Sequence, residues 1–375
     1  MTPPARRWRA PAPTHSSPAP CDRAGEQQLV NDAGGNAGDA AVAVLMVNTG
    51  TPQAPTAAAV RTFLRSFLSD PRVIELPRVF WRPLLCTVVL PLRAPRSARK
   101  YRLIWQNGQS PLMAFGTQLR AALQRQLGSM RAGVRVEQAF LYSPPRVRTV
   151  LETLRAEGYR RIVVLPLFPQ SSGSSTGAVY DQVSAALRSW RALPHLRFVS
   201  NYHDDPEYIG SLSASLADHR RLHGMSGHVL FSFHGIPMSY VAGGDRYADE
   251  CRQTAALLAA AAGLATHDWS LAFQSRFGAN RWLTPATDRT LAELPRRGVR
   301  AVTVMCPGFA VDCLETLEEI AITGREIFIR AGGERFDYVP SLNARSDHAA
   351  ALAQLVMRAI GDWPTPRGLE VQTAS

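Results

Sequence analysis

Short apolar runs alternate with helical segments along most of this chain, and this alternation constrains its fold most strongly. Ala41 to Asn48 is a continuous apolar run bounded by Gly50 and Pro52. Such a run is typical of a strand buried on both faces of a parallel sheet. Strands that alternate with helices predict an α/β fold with parallel sheets. The predicted strands are residues 41–48, 134–142, 161–168, 228–233, 269–273, 299–305 and 335–339.

The strands fall into two sets, which predicts two similar lobes joined around residues 192–205, although no sequence repeat relates them. Residues 1–40 are rich in Pro, Ala and Gly and are expected to be a disordered tail. The predicted division is 1–40 as this tail, 41–195 as an N-terminal lobe with a pocket lip, 196–342 as a C-terminal lobe carrying His234 and Glu315, and 343–375 as a C-terminal helix and tail.

The net charge of +12 is unevenly distributed. Between Arg61 and Arg102 there are ten Arg or Lys residues against Asp70 and Glu75, a net charge of +8. A basic excess suits a nucleic acid, an anionic membrane surface or an acidic ligand. The chain has no Lys/Arg-rich low-complexity tail and no basic repeat interleaved with aromatic residues. We therefore expect no nucleic-acid partner.

The five cysteines form no CxxC pair and show no spacing typical of a metal finger or an iron–sulfur cluster. An odd number of widely spaced cysteines indicates reduced thiols, as in the cytoplasm. The longest apolar run, residues 83–92, is about half the length of a membrane-spanning helix. Residues 1–40 lack the apolar core of a signal peptide. These features predict a cytoplasmic protein.

The segment Val79 to Leu92 is apolar, interrupted by prolines and flanked by arginines. An exposed lip over an apolar ligand or a membrane surface would explain this composition. An irregular buried loop would explain it equally well. The sequence leaves both interpretations open.

A small, hydroxyl-rich loop, PQSSGSSTG from Pro169 to Gly177, follows the third predicted strand and precedes a helix. Backbone amides at such a helix N-terminus can receive an anion. The hydroxyls can also cap the helix, and we expect both. The chain contains no GxGxxG or GxxxxGK[ST] motif, so it lacks a nucleotide-binding fingerprint.

Unusual polar residues follow the ends of several predicted strands, where open α/β sheets bind their ligands. They include Tyr142, the loop from Ser171 to Thr176, and the segment from Gln274 to Trp282. His234 comes directly after a buried strand, and the Gly-x-Pro that follows prevents a helix there. A structural or exposed histidine is the common alternative, but this position favours a function.

Three carboxylates follow the strand at residues 299–305. On a helix with about 100° per residue, Asp312, Glu315 and Glu319 lie within an arc of roughly 60°. Asp312 and Glu315 also have the spacing of a structural capping box, which does not explain Glu319. Three neighbouring acids would raise at least one pKa and suit proton transfer. A histidine with a carboxylate would accept Fe²⁺ transiently, without the ligands of a closed zinc site.

The chain resembles the ferrochelatase family from about Val42 to Leu355. Six ordered segments carry the resemblance: VNTGTPQAPTAAAVRTFLRSFLSDPRV (47–73), RSARKYRLIW and GQSPL within 96–112, LFPQSSGSSTGAV (167–179), SFHGIPMSYV (232–241), FQSRFGANRWLTPATD (273–288) and CPGFAVDCLETLEEI (306–320). The resemblance implies two Rossmann-like lobes with the active-site cleft between them. It also implies insertion of Fe²⁺ into protoporphyrin IX, giving protohaem with release of two protons.

The resemblance also assigns roles to residues. His234 would take a pyrrole proton or bind the incoming iron, Glu315 would face it as the second metal ligand, and Asp312 and Glu319 would continue an acidic path to the pocket. Tyr142, Ser171 and Trp282 would bind the substrate. The lip at Val79 to Leu92 would form a membrane-facing pocket mouth.

The sequence departs from the family pattern at a few positions. Leu141 stands where an arginine is usual, and Phe168 and Ser171 replace common tyrosines. The cysteine-bearing C-terminal extension of cluster-containing members is absent, so we expect no iron–sulfur cluster and no permanently bound cofactor. A chelatase acting on coproporphyrin or another tetrapyrrole, and a non-catalytic tetrapyrrole-binding protein, are the alternatives. The oligomeric state is left open.

Overall fold

The computed structural model describes residues 41–224, 227–277 and 281–365. The tail predicted at 1–40 and the last residues, 366–375, lie outside the described residues. The first sheet has four parallel strands in the order β2-β1-β3-β4. Their bounds are Val42–Asn48 (β1), Val134–Phe140 (β2), Arg161–Pro166 (β3) and His195–Phe198 (β4).

The second sheet is also parallel and has the order β6-β5-β7-β8. Its strands are His228–His234 (β5), Trp269–Gln274 (β6), Ala301–Met305 (β7) and Arg335–Val339 (β8). In both sheets the second strand in sequence pairs with the first, and the third and fourth follow on the other side. The two sheets therefore share one topology, which confirms the predicted α/β fold with two similar lobes.

Helices cover both faces of each sheet. Alternate residues of β1 show this: Val42, Val44 and Met46 enter one apolar cluster, whereas Ala43, Leu45 and Val47 enter another. The α-helices are Ala57–Leu68 (α1), Arg78–Leu84 (α2), Leu90–Ile104 (α3), Pro111–Met130 (α4), Val147–Ala156 (α5), Ala178–Leu187 (α6), Pro206–His223 (α7), Met238–Ala242 (α8), Tyr247–Ala261 (α9), Thr287–Glu293 (α10), Arg325–Arg330 (α11) and Ser346–Ile360 (α12).

The C-terminal helix α12 packs against α4 and α7 and against the first sheet, at β3 and β4. Its apolar face enters the same buried cluster as α4, which includes Leu352 and Val356 of α12 with Leu119 and Leu123 of α4. The chain thus returns to the first lobe after completing the second sheet. The segment predicted as a linker, 192–205, contains β4, which pairs with β3 of the first sheet.

The lip segment is helical, so the alternative of an irregular buried loop is wrong. α2 continues through the π-helical turns Leu85–Val89 into α3, and we call residues 78–104 the lip helix. Pro83 lies in the first helix and Pro91 at the start of α3. One side of this helix exposes large apolar residues, with Phe80 75% exposed and Val79 72%. Among the described residues, no helix is long and apolar enough to cross a membrane.

Candidate active site

The polar residues of the second lobe meet at the carboxyl edge of its sheet. His234 ends β5 and pairs in register with Gln274, which ends β6. Gly235 makes this close approach possible: its amide donates to the Gln274 carbonyl at 2.8 Å, and a Cβ at this position would lie 2.8 Å from the same oxygen. The backbone therefore holds His234 and Gln274 side by side.

The His234 imidazole is half-buried and has one nitrogen already engaged. Its Nδ1 lies 2.6 Å from the Gly235 carbonyl oxygen. Because a carbonyl only accepts, Nδ1 carries the proton and donates to it. The neutral ring then has its lone pair on Nε2. This nitrogen is the one that can accept a proton or bind a metal ion.

The Glu319 carboxylate is held by Ser275, the residue after β6. Ser275 donates through its backbone amide at 2.7 Å and through its hydroxyl at 2.6 Å. Burial raises the pKa of the Glu319 carboxyl and Glu315 raises it further, while the Ser275 hydrogen bonds and His234 act in the opposite direction. Glu319 therefore combines a raised proton affinity with a fixed orientation next to His234.

Glu315 begins the π-helical segment Glu315–Gly324, which we call the site helix. The Gln274 side chain donates from Nε2 to the Glu315 carbonyl at 2.8 Å, which ties the start of this helix to β6. Burial raises the pKa of the Cys313 thiol, and the nearby Glu315 carboxylate raises it further. Arg93 of the lip helix also lies in its electrostatic range, because burial lowers the pKa of Arg93 and Glu315 opposes this effect. Glu315 therefore lies where the two lobes meet.

Asp312 differs from the other two carboxylates, because it lies before the site helix and is completely buried. It accepts hydrogen bonds from the Thr316 hydroxyl at 2.8 Å, the Tyr338 hydroxyl at 2.6 Å and the Asn343 amide at 2.8 Å. The capping-box interpretation is wrong: the Asp312 amide donates to Asn343, and the carboxylate bonds β8 and the loop after it. These contacts anchor the start of the site helix. The part of Asp312 in an ion path stays a prediction.

The three residues predicted to bind the substrate lie in different surroundings. Tyr142 is 3% exposed, and its hydroxyl donates to Asp70 at 2.9 Å. Trp282 is near the site: its indole N–H donates to the Phe277 carbonyl at 2.9 Å, and its ring lies against Gly235. Ser171 is half-buried, and its amide donates to a carboxylate from the second lobe. Their contact with a substrate stays a prediction.

The hydroxyl-rich loop does receive anions, and they are carboxylates of the same chain. Asp245 accepts from the Ser172 hydroxyl at 2.7 Å and from the Gly173 amide at 2.9 Å, and Glu250 accepts from the Ser171 amide at 2.6 Å. The Ser172 hydroxyl also accepts from the Ser174 amide, as expected for a capping residue. Because Asp245 and Glu250 belong to the second lobe, this loop joins the two lobes.

Several residues of the site were not found from the sequence. Ser275 was included in a polar segment without a role, although its left-handed backbone, with φ of 67°, marks a constrained position. Arg93, Lys100 and Glu318 were not singled out. Their signal is weak, because a charged residue on a helix is usually solvated. Only the packing of the lip helix on the site helix shows which of them are buried or paired.

No metal-ligating group of three or more His, Cys, Asp or Glu side chains occurs within the described parts of the chain. The assignment of His234 and Glu315 as metal ligands stays a prediction. The cysteines of the described residues, Cys86, Cys251, Cys306 and Cys313, are all free thiols. Cys21 lies outside the described residues.

Comparison with known proteins identifies the family. The family model described as Ferrochelatase matches residues 41–360. The ferrochelatase of Aromatoleum aromaticum is 46% identical over 362 residues, covering 96% of this chain and 93% of the relative. The ferrochelatase of Azoarcus sp. is 50% identical over 322 residues, covering 86% and 88%. That of Aeromonas hydrophila is 47% identical over 315 residues, covering 84% and 97%.

Solved structures are similar in fold. SirB from Bacillus subtilis, solved with Fe³⁺, matches with a TM-score of 0.52 at 11% identity, covering 85% of this chain and 95% of that one. DR2241 from Deinococcus radiodurans, a multi-domain protein with structural similarity to chelatases, matches with a TM-score of 0.51 at 12% identity, covering 86% and 56%. With a family model that spans both lobes and relatives aligned over most of their length, the chain belongs to the ferrochelatase family and is a metal chelatase of the lyase class, which inserts a metal ion into a porphyrin.

Proposed function

We propose that this enzyme inserts Fe²⁺ into protoporphyrin IX and forms protohaem with release of two protons. The observation that carries the proposal is the arrangement of His234, Glu315 and Glu319 at one sheet edge. One nitrogen of His234 is free, and Glu319 is oriented by Ser275. Insertion requires acceptors for two pyrrole protons and polar ligands that replace the water around Fe²⁺. This set of side chains offers both.

The roles of these residues follow from their surroundings. His234 Nε2 takes a pyrrole N–H proton or binds the entering iron, since its Nδ1 proton is fixed on the Gly235 carbonyl. Glu319, whose pKa is raised by burial, suits a carboxylate that receives a proton and passes it on. Glu315, in the first turn of the site helix, lies within electrostatic range of Glu319. Mixed nitrogen and oxygen ligands suit Fe²⁺ without binding it permanently.

Protoporphyrin is the favoured tetrapyrrole because of the lip helix. Protoporphyrin carries apolar vinyl groups where coproporphyrin carries two additional propionates. The lip helix exposes Leu84, Val88 and Leu92 beside the apolar residues of its first turn. An apolar rim stabilises vinyl groups and gives additional carboxylates no partner. Coproporphyrin is the alternative. The observation that favours it is the excess of basic residues between Arg61 and Arg102.

The same apolar surface supports a second part of the proposal, a cytoplasmic enzyme in peripheral contact with a membrane. Apolar residues flanked by arginines suit an anionic lipid surface. Sedimentation with vesicles of phosphatidylcholine and phosphatidylglycerol tests this contact. Phe80→Asp should reduce binding strongly, whereas Leu222→Asp, at an exposed apolar residue on α7, should not.

We also propose that the enzyme holds no iron–sulfur cluster or other resident cofactor. The described cysteines are all free thiols, and three of the four are buried. Iron and acid-labile sulfide analysis of protein purified without oxygen provides the test. Stoichiometric sulfide would overturn this part of the proposal.

An anaerobic assay with Fe²⁺ and either protoporphyrin IX or coproporphyrin III, read by haem absorbance, tests the reaction and the substrate together. We expect faster turnover of protoporphyrin, and His234→Ala should abolish most of it. Faster turnover of coproporphyrin would reverse the substrate assignment. Porphyrin binding without turnover by the folded protein would instead indicate a tetrapyrrole carrier. Full activity of the His234 variant would remove His234 from the proposed mechanism.

A further inference from the structure

An ion pair joins the lip helix to the site helix. The Lys100 ammonium lies 2.7 Å from Oε2 of Glu318. Lys100 belongs to α3, which is part of the first lobe, and Glu318 lies on the site helix between Glu315 and Glu319. The roles proposed above use the other two acids of this helix and leave Glu318 unexplained.

The two partners differ greatly in exposure. The Glu318 side chain is only 6% exposed, whereas that of Lys100 is 48% exposed. The second oxygen of Glu318, Oε1, accepts from the Thr323 hydroxyl at 3.1 Å. A carboxylate this deeply enclosed is unfavourable unless it is paired and hydrogen-bonded. Glu318 therefore needs Lys100 as the counter-ion of its carboxylate. The lip helix, which carries Lys100, sets where this carboxylate lies.

A second cation of the lip helix, Arg93, also lies near the site helix. Arg93 and Lys100 are seven residues apart, so on an α-helix they lie on the same face, two turns apart. The Arg93 guanidinium lies 4.9 Å from the centre of the Phe277 ring and within electrostatic range of Glu315. One face of the lip helix thus meets both Glu315 and Glu318 through cations.

We propose that Lys100 and Glu318 are positioning residues for the chelatase reaction. Their ion pair fixes how far the lip helix slides and rotates on the site helix. It thereby sets the distance between the apolar rim and the groups that act on the metal, His234, Glu315 and Glu319. The proposal rests on the proposed porphyrin site between these two helices.

A contribution to the stability of the folded protein does not by itself explain this ion pair. An ion pair to a buried carboxylate is often no more stabilising than apolar residues of the same size, whereas it strongly disfavours arrangements that leave the buried charge unpaired. Apolar contacts alone would let the lip helix settle in several neighbouring positions. A single point contact between unlike charges selects one of them.

Variants at Lys100 test the proposal. Lys100→Met removes the charge and keeps the apolar stem, and we expect a five- to tenfold higher KM for the porphyrin with a smaller change in kcat and an unchanged KM for Fe²⁺. Lys100→Arg keeps the charge and should stay within about twofold of the unmodified enzyme. The exchange Lys100→Glu with Glu318→Lys should recover much of what either single change loses. Arg99→Met, at the exposed neighbour, is the matched control.

Chemical modification provides an independent test, because Lys100 is the only lysine in the chain. Acetylation removes its charge and should raise the porphyrin KM as Lys100→Met does. Reductive methylation keeps the charge and should change little. The same reagents applied to Lys100→Arg report the effect of the α-amino group alone, which we expect to be negligible.

The outcomes separate this proposal from the proposed function. An unmodified enzyme that turns over neither porphyrin contradicts the proposed function. An active enzyme whose Lys100→Met and acetylated forms keep both kinetic constants contradicts the positioning role. A lower melting temperature with unchanged KM and kcat also contradicts it, since the pair would then serve stability alone.

Discussion

Ser275 donates two hydrogen bonds to Glu319, one from its backbone amide at 2.7 Å and one from its hydroxyl at 2.6 Å. Ser275 adopts a left-handed backbone, with φ of 67°, which is unusual for a residue with a side chain. Conformations of this kind persist where the surroundings enforce them, often at functional sites. Here the strained residue fixes a carboxylate whose pKa is raised by burial.

Ser275→Ala removes the hydroxyl donor and should raise the pKa of Glu319 further. If Glu319 must be ionised to accept a proton, the acidic limb of the kcat profile moves to higher pH. A hydrogen bond to a charged group contributes about 1.5–3 kcal/mol, so we expect a roughly tenfold greater loss of activity at pH 6 than at pH 8. Turnover measured across this range provides the check.

Ser275→Gly serves as the companion variant. It also lacks the hydroxyl but tolerates the left-handed backbone, so it should be the more stable of the two. Both variants should show the same change in pH profile. A profile that changes only in the alanine variant would mean that backbone strain, and not the hydroxyl, controls Glu319.

Glu315→Gln tests the predicted role of the first carboxylate of the site helix. The substitution keeps the size of the side chain and removes its charge and proton-accepting capacity. General acid–base groups contribute about 10²–10⁴-fold to rate, so we expect a loss of at least about 100-fold in kcat. Glu326→Gln, at an exposed acid on α11 directly after the site helix, is the control and should be fully active. Unchanged turnover in Glu315→Gln would remove Glu315 from the mechanism.

Asp312→Asn tests the anchor at the start of the site helix. The carboxylate accepts from Thr316, Tyr338 and Asn343, and an amide would place its N–H₂ against one of these donors. An unsatisfied enclosed polar group costs about 1–3 kcal/mol, and a charged acceptor is lost as well. We therefore expect a clear loss of stability in urea denaturation. Activity should fall with it, because Glu315 is three residues away.

Tyr338→Phe separates anchoring from a direct role of Asp312 in ion transfer. It removes one donor and keeps the carboxylate. A stability loss of about 1 kcal/mol with near-normal activity would agree with an anchor. Near-normal stability of Asp312→Asn with complete loss of turnover would instead agree with the predicted ion path.

Strands β1, β3, β5 and β7 were predictable because each is a short, mainly apolar run whose residues are almost all buried. The end of β5 at His234 follows from such a run. α4 and α7 were not predicted, since they mix apolar and polar residues with little separation into faces, and their burial depends on packing against α12. The short β4, with two exposed residues among its four, carries almost no pattern of its own.

Site residues that directly follow a strand were predictable. Those whose position depends on the geometry of a helix were less so. Counting about 100° per residue placed Asp312 in a row with Glu315 and Glu319, but the described helix is π-helical from Glu315 and leaves Asp312 outside it. A π-helical turn has no clear signal in one sequence. The pairing of Lys100 with Glu318 spans 218 positions, so only the folded chain reveals it.

Gly235→Ala should disturb the site without removing a functional group. An added Cβ would lie 2.8 Å from the Gln274 carbonyl oxygen and 3.4 Å from the Trp282 ring, and the oxygen belongs to rigid backbone. Overpacking of this kind costs about 1–3 kcal/mol. Because His234 is the preceding residue, we expect kcat to fall by roughly tenfold or more. Gly128→Ala is the control, since Gly128 has no positive φ and an added Cβ there would meet nothing within 4 Å.

His348 should make the protein sensitive to acid. The ring is completely buried in α12, its Nδ1–H donates to the Asn343 carbonyl at 2.7 Å, and burial lowers its pKa from 6.5 to about 4. Below pH 6.5 the unfolded chain binds a proton that the folded protein excludes until about pH 4. The free energy of unfolding therefore falls as the pH drops through this window, by about 3 kcal/mol from His348 alone.

The His348→Asn variant isolates this contribution. It should be less stable than the unmodified protein at pH 7, since a packed ring is lost, but its stability should decline less between pH 6.5 and pH 4. Urea denaturation at several pH values measures both declines. His195→Asn, at an exposed histidine on β4, should leave the pH dependence unchanged. Equal declines in the His348 variant and the unmodified protein would mean that the acid sensitivity arises elsewhere.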